Sequence, residues 1–420
     1  MLQTKEYKIK SCDDVELDIK RESLLEFSLT FDDEKEIEAI LFIIPGLGED
    51  NNSSYLEHLA RYSAQNFNVA VCLVQYHCIG NRTQTGCKVV LDDLDIFILS
   101  QACSSIGINI PKKFMPLNKL QITKKEHLLF DFLDKKIAKL KADFEIARSY
   151  RMNLSVTLIP TKNEYNNFGI MSATDIVNAL LHIKKNPPFK ISNGGGRLKH
   201  IFLGTSHGGY LAHLVAKISP WNVDCVVDNS GYAIIPWRFI GFGKEIDYTL
   251  HSSTGIIPLD YEHFSLRGFD KTMWNSNKFS PNYFSNARSR IRNILDEEHL
   301  KIQAKSSEIK YISYHSILDD VADANDKIKL YDLLNDLGFD AKLTVVRDTS
   351  QIDGKFIKNL SHGMNMSIKT LINKSLEESS LLSYDSKKDT VKKEISYKSD
   401  EILYTFKEED DSLRLSCEKI

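Results

Sequence analysis

The hexapeptide Gly204-Thr205-Ser206-His207-Gly208-Gly209 constrains this chain more than any other stretch, because of what flanks it. Before it runs His200-Ile201-Phe202-Leu203, a short apolar strand pattern. After it, residues 210–218 carry an apolar face at helical spacing. A G-x-S-x-G turn between a strand and a helix holds its central residue at strained backbone angles, a cost on the order of 1–3 kcal/mol. Side chains two positions to either side would collide in so tight a turn, so Gly204 and Gly208 are needed there. The geometry presents a serine hydroxyl at a helix N-terminus, where the helix dipole favours developing negative charge. Ser206 is therefore a candidate nucleophile.

A serine nucleophile needs a base and an orienting acid, which follow such a turn in the order Asp/Glu, then His. Of the later histidines, His362 lies in Asn359-Leu360-Ser361-His362-Gly363-Met364, between the last clear strand and the last clear helix, where a base belongs. For the acid, His315-Ser316-Ile317-Leu318-Asp319-Asp320-Val321 follows the strand 309–314. Asp319 suits the spacing from that strand best, and Asp320 is its rival. The oxyanion formed during acyl transfer needs two backbone N–H donors. One is that of His207. The other comes from the loop Pro45-Gly46-Leu47-Gly48-Glu49-Asp50, with Leu47 or Gly48 as donor.

The rest of the chain supplies a matching frame. Residues 7–31 alternate loosely between apolar and polar, as half-exposed strands do. Residues 39–44 and 69–74 are continuous apolar runs, the mark of buried strands in a mostly parallel sheet. Helices are expected at 53–65, 172–185 and 324–337, strands at 223–227 and 341–346, and a last helix from about Met364. Residues 123–150 read as one amphipathic helix. Residues 231–300 are aromatic and loop-rich, with Trp237 and Trp274 as candidate pocket-lining residues. The expected organisation is a domain over 1–375 with insertions at about 81–165 and 231–300, the latter a cap, followed by a polar tail over 376–420.

Composition removes several function classes. A net charge of −3 over 420 residues gives no reason to expect nucleic acid or an anionic membrane as partner. Seven widely spaced cysteines with no C-x-x-C fit free thiols rather than a disulfide framework or a zinc site. The first ten residues lack the apolar core of a secretory leader, and the longest apolar runs are too short to span a bilayer. The expectation is a cytoplasmic protein that uses neither metal nor organic cofactor.

The strand followed by PGLG, the GTSHGG turn, YHSILDD after a strand and the SHG loop together resemble the α/β-hydrolase superfamily over about residues 39–375. The Ser-His-Gly-Gly-Tyr turn is similar to that of prolyl-oligopeptidase-like members. The resemblance implies a mostly parallel central sheet with helices on both faces, a helical and aromatic cap, and a serine hydrolase acting on an ester or related acyl bond. It also makes Asp228, at the end of the strand 223–227, a third candidate acid, because some members supply the acid one strand earlier. The chain departs from the superfamily in lacking the His-Gly-Gly-Gly loop of many esterases and in carrying Ser316 where a glycine often precedes the acid. As a whole it also resembles an uncharacterised bacterial family associated with flagellar glycan loci, which implies a small-molecule or glycan acyl substrate.

Three rival readings are weaker. Gly46-x-Gly48-x-x-Asn51 lacks the third glycine of a dinucleotide fingerprint, and the next strand ends in Gln75-Tyr76-His77 without the acid that binds ribose. The same Ser-His-Asp set would serve an acyltransferase that passes the acyl group to a sugar hydroxyl. A non-catalytic binding protein on the hydrolase fold is the third.

Overall fold

The structure is a computed structural model and describes the chain outside residues 48, 50, 52, 80–87, 119–121, 160–161, 163, 193–196, 237–258, 271–272, 307 and 381–391. Trp237 and Gly48 thus lie outside the described residues. Two compact units divide the chain: Met1–Ile79, Asn167–Pro236 and Tyr283–Ile420 form the first, Gly80–Asn166 and Trp237–Asn282 the second.

The first unit begins with β1 (Leu2–Ile9), β2 (Leu25–Asp32), β3 (Glu36–Ile37), β4 (Ala39–Ile44), α1 (Ser54–Asn66) and β5 (Val69–Gln75). The second unit takes β6 (Lys88–Val90), α2 (Asp93–Ser105), α3 (Lys124–Ala142) and β7 (Met152–Ile159). The chain returns through α4 (Ile170–Lys185), β8 (Lys190–Ile191), β9 (Lys199–Thr205), α5 (His207–Ile218) and β10 (Cys225–Asn229). The short pair β11 (Leu259–Asp260) and β12 (Phe264–Asp270) completes the second unit. The first unit then ends with α6 (Asn286–Arg292), α7 (Glu297–Ala304), β13 (Lys310–Ser316), α8 (Ala324–Asp336), β14 (Asp340–Val346), α9 (Ile368–Ser380) and β15 (Glu394–Ser399), β16 (Ile402–Glu409) and β17 (Ser412–Lys419).

An eight-stranded sheet in the order β1-β2-β5-β4-β9-β10-β13-β14 organises the first unit. Its strands from β5 to β14 run parallel, and β2 is antiparallel to both its neighbours. All six residues of β4 are buried, because a strand covered on both faces has no solvent side. One face, carrying Leu41, Val71, Leu203, Val227 and Ile312, packs against Leu59 of α1 and Leu371 of α9. Successive residues point to the opposite face. There Phe42 stacks on Phe202 at 4.8 Å, beneath α4 and α5. Counted within the sheet the strand order is 1-2-4-3-5-6-7-8, with helices on both faces and a strand–turn–helix at its centre. This is the α/β-hydrolase fold.

Several expected boundaries shift. The helix expected over 123–150 stops at Ala142, and from Met152 the chain is strand β7. Residues 362–365 form a short 3₁₀ turn, and the last helix starts only at Ile368. Residues 283–300, expected inside the cap insertion, belong to the first unit as α6 and α7. In the second unit β12 lies parallel to β7, and Leu99, Phe130, Leu133, Val156 and Phe264 share its core.

The polar tail expected over 376–420 is corrected most. Within it, β15, β16 and β17 form an antiparallel sheet. Tyr397, Tyr404, Phe406 and Leu413 are fully buried. Tyr397 donates to the carbonyl of Lys217 at 2.6 Å, and Trp221 donates to Glu408 at 2.8 Å. Charged residues on the outer face made this segment look like a solvated tail, while the inner face follows the two-residue period of a half-buried sheet. Among the described residues no helix is long and apolar enough to cross a membrane.

Candidate active site

Ser206 sits between β9 and α5 with φ 53° and ψ −119°, outside the ordinary L-residue regions. Steric demands explain the neighbouring glycines. A Cβ on Gly204 would overlap the backbone of Gly208, and one on Gly208 would overlap the carbonyl of Ile44. The turn is held by the Ser206 amide, which donates to Asn229 at 2.8 Å, and by Tyr210, whose amide donates to Ser206 at 3.1 Å.

The structure brings Ser206, His362 and Asp319 together at the C-terminal ends of β9 and β13. His362 Nε2 is 2.8 Å from Ser206 Oγ. His362 Nδ1 is 2.9 Å from both Asp319 oxygens. Only Nδ1–H can serve a carboxylate, so Nε2 is the acceptor that faces the serine hydroxyl. The Asp319 side chain is fully buried, whereas that of His362 remains 22% exposed, so the imidazole is open to an incoming molecule.

Asp319 is itself anchored. Its Oδ1 accepts the amides of Val321 and Ala322, each at 2.9 Å. Burial pushes its carboxyl pKa up, but the bonds from His362 and the backbone outweigh burial and hold it below the usual carboxylate range. The rival acids stand elsewhere. Asp320 is exposed to solvent. Asp228 is fully buried in a cluster of its own: Lys327 Nζ at 2.5 Å, the Gly231 amide at 2.7 Å, Ser313 Oγ at 3.1 Å and His213 Nε2 at 3.4 Å. Burial opposes ionisation of Asp228, and the Lys327 ammonium overcomes it. An acid with all these partners is a structural counter-ion for α5 and α8, and His362 is not among the groups it holds.

The loop carrying Leu47 runs beside the serine. A methyl placed on Gly46 would stand 3.6 Å from Ser206 Cβ. Gly46 N–H donates to Glu49 Oε2 at 2.9 Å, and the Glu49 amide closes the turn on Gly46 at 3.3 Å. The second donor residue, His207, opens α5 and turns its side chain inward, where Nδ1 meets the hydroxyl of Tyr232. Burial lowers its pKa to about 3, so the ring is neutral at physiological pH. Its ring thus takes no part in the bonds around Ser206, and the residue can contribute its amide alone.

Residues to which the sequence reasoning gave no role hold the His362 loop. Ser316 Oγ donates to the carbonyl of Leu360 at 2.6 Å, which tethers the loop to the end of β13. That is a role a glycine at this position could not fill. Asn229, the last residue of β10, and Ser230 after it bond to Gly363. The signal available in the sequence was the polar run Asp228-Asn229-Ser230 directly after an apolar strand.

Outside this site, Asp134, Glu262 and His263 bring ligand-type atoms within 4.8 Å of one another in the second unit. Asp134 accepts the amide of His263 at 2.8 Å and Lys141 Nζ lies 3.2 Å from His263 Nδ1, so the group holds itself together by hydrogen bonds with a cation already in place. The six described cysteines are free thiols.

Among solved structures the chain resembles the Pyrococcus horikoshii acylaminoacyl peptidase at 13% identity and a TM-score of 0.45, covering 91% of this chain and 42% of that one. It also resembles Est1E from Butyrivibrio proteoclasticus (12% identity, TM-score 0.39, 90% of this chain and 97% of that one) and esterase Est22 (12% identity, TM-score 0.40, 90% and 79%). The chain therefore spans about two fifths of the length of the peptidase it resembles. No curated protein matches it in sequence. A family profile matches residues 5–417, nearly the whole chain, and on that match the chain belongs to the family described as "Protein of unknown function (DUF2920)".

Proposed function

We propose that this protein is a serine hydrolase that cleaves an ester or related acyl bond, with Ser206 as nucleophile, His362 as general base and acid, and Asp319 as the group that orients the imidazole. The observation carrying this reading is the unbroken series of hydrogen bonds from Ser206 Oγ through His362 to Asp319, at 2.8 and 2.9 Å. Ser206 Oγ attacks the acyl carbonyl as its proton passes to His362 Nε2. The imidazolium so formed faces the Asp319 carboxylate. The carbonyl oxygen becomes an oxyanion, held by the amides of His207 and Leu47 or Gly48 at the positive end of α5, each donor contributing about 2.7–4 kcal/mol. Collapse of this intermediate breaks the bond to the leaving alcohol, which takes the proton from His362. Water then attacks the acyl-enzyme by the same steps in reverse order, and free acid leaves with Ser206 restored.

The substrate class that goes with this reading is a small-molecule or glycan acyl ester, an acylated sugar being the one implied by the resemblance to the bacterial family associated with flagellar glycan loci. The chemistry needs neither metal nor organic cofactor. A fluorophosphonate probe tests the nucleophile: labelling is expected at Ser206 and is expected to vanish in Ser206→Ala. Turnover of short-chain p-nitrophenyl esters is expected to vanish in His362→Ala. A folded wild-type protein that takes no label, or unchanged turnover in His362→Ala, overturns the reading.

A further inference from the structure

The dipeptide Asn229-Ser230 touches every strand end that carries a reacting group. β10 lies between β9, which presents Ser206, and β13, which leads to Asp319. The carbonyl of Asn229 accepts the Ser206 amide at 2.8 Å. The amide of Ser230 donates to the carbonyl of Tyr314 on β13 at 3.0 Å. Both side chains then close on the peptide that follows the histidine. Ser230 Oγ accepts the Gly363 amide at 3.1 Å, and Asn229 Nδ2 donates to the Gly363 carbonyl at 3.2 Å. The two side chains are tied to each other, Ser230 Oγ donating to Asn229 Oδ1 at 3.3 Å.

Two further observations mark this as more than routine packing. Both residues are almost wholly buried, at 2% and 0% exposure, yet their polar side chains are spent on one glycine peptide. Ser230 also adopts φ 58°, a left-handed conformation that glycine would take without strain. A serine kept at a glycine-favouring position earns an explanation from its hydroxyl, and the hydroxyl's partners are Gly363 and Asn229.

We propose that Asn229 and Ser230 are positioning residues that set the imidazole of His362 between Ser206 and Asp319. Neither touches the reacting atoms. They act by clamping both hydrogen-bonding groups of the Gly363 peptide, one residue from the ring, to the strand that also holds the nucleophile's amide. The chain turns sharply here, with Gly363 at φ 72° and Met364 at φ 54°; Ser316 holds the loop ahead of the histidine, at Leu360, and the clamp holds it immediately after, at Gly363. The inference rests on the hydrolase reading above, and the test separates the two.

Ser230→Gly removes the hydroxyl while permitting the backbone conformation. Asn229→Ala removes the other half of the clamp and keeps the backbone bond to Ser206. Both variants, checked for folding by thermal unfolding, are compared with wild type for p-nitrophenyl ester kinetics, for the rate of fluorophosphonate labelling, and for the NMR signal of the His362 Nδ1 proton shared with Asp319. The expected result is kcat and labelling lower by roughly 10-fold or more, KM within about twofold, and a broadened or lost Nδ1 proton, since displacements near 1 Å cost up to about 100-fold. Wild-type kcat together with an undisturbed Nδ1 proton in both folded variants overturns the positioning role and leaves the hydrolase reading standing. An inert wild type whose Nδ1 proton is present, and is lost in the variants, overturns the hydrolase reading and leaves the clamp standing.

Discussion

Asp319→Asn isolates the orienting acid with little change in shape. In the native site Asp319 Oδ1 accepts the amides of Val321 and Ala322 at 2.9 Å each. Those two donors keep the amide oxygen of the variant on their side and so direct its NH₂ group to the other position, 2.9 Å from His362 Nδ1. An N–H facing Nδ1 favours a lone pair there, in competition with the amide oxygen that still lies 2.9 Å away, and where it prevails the ring proton moves to Nε2. Nε2 then meets Ser206 Oγ, at 2.8 Å, as a donor and cannot take the serine proton. A wrong tautomer of this kind lowers kcat by about 10⁴-fold, or about 5–6 kcal/mol in the barrier, with binding untouched. The fold should survive, because both backbone bonds persist and a buried charge is replaced by a neutral group. The assay is p-nitrophenyl ester turnover across a substrate series, with denaturation curves as a control, and Asp320→Asn and Asp228→Asn alongside. Activity within about tenfold of wild type in a folded Asp319→Asn refutes the tautomer argument. An equal loss in Asp320→Asn refutes the choice of acid.

Other consequences follow from the strained elbow and the buried histidines. At an ordinary position alanine is more stable than glycine, but Ser206 holds φ 53°, so Ser206→Gly should be more stable than Ser206→Ala by about 1 kcal/mol in urea denaturation, with both unlabelled by fluorophosphonate. The usual order of the two would contradict strain at the turn. Burial lowers His207 to about 3 in the folded protein, against about 6.5 in an unfolded chain. As pH falls below about 6.5 the unfolded chain gains a proton that the folded chain refuses, so stability is full above that pH and declines towards about 3. At pH 5 this residue alone should cost roughly 2 kcal/mol relative to pH 8, and His207→Phe should flatten that part of the urea-midpoint profile. His299, also lowered to about 3 by burial, leaves a residual slope in the variant. Identical slopes in the two proteins would assign the acid sensitivity elsewhere.

The elbow was legible in the sequence because its causes are local. Gly204 and Gly208 are demanded by backbone atoms within a few residues and by the neighbouring strand end, and strands such as β4 announce themselves by being apolar throughout. The position of His362 was legible for a related reason, since it follows the last sheet strand and precedes the last helix packed on the sheet. The choice among Asp319, Asp320 and Asp228 was legible only as a ranking, with Asp319 first by its spacing from the strand. Neighbouring residues in a turn point in different directions, and only the amides of Val321 and Ala322 fix which carboxylate turns inward. Asp228 was open as an acid until α5 and the sequence-distant α8 supplied His213 and Lys327 to it.

The C-terminal sheet shows a different limit. Ile395, Tyr397, Tyr404, Phe406 and Leu413 alternate as a half-buried sheet requires, but the charged residues between them dominate the composition of the segment. The alternation gains meaning only once a surface exists for it to cover. By itself, then, the sequence determined where the chain must turn tightly and which runs must be buried, because sterics and solvation act over a few residues. The tertiary structure alone decided which acid meets His362, which side chains clamp its loop, and that the last strands belong to the body of the first unit. Those outcomes depend on groups that only folding brings within hydrogen-bonding distance.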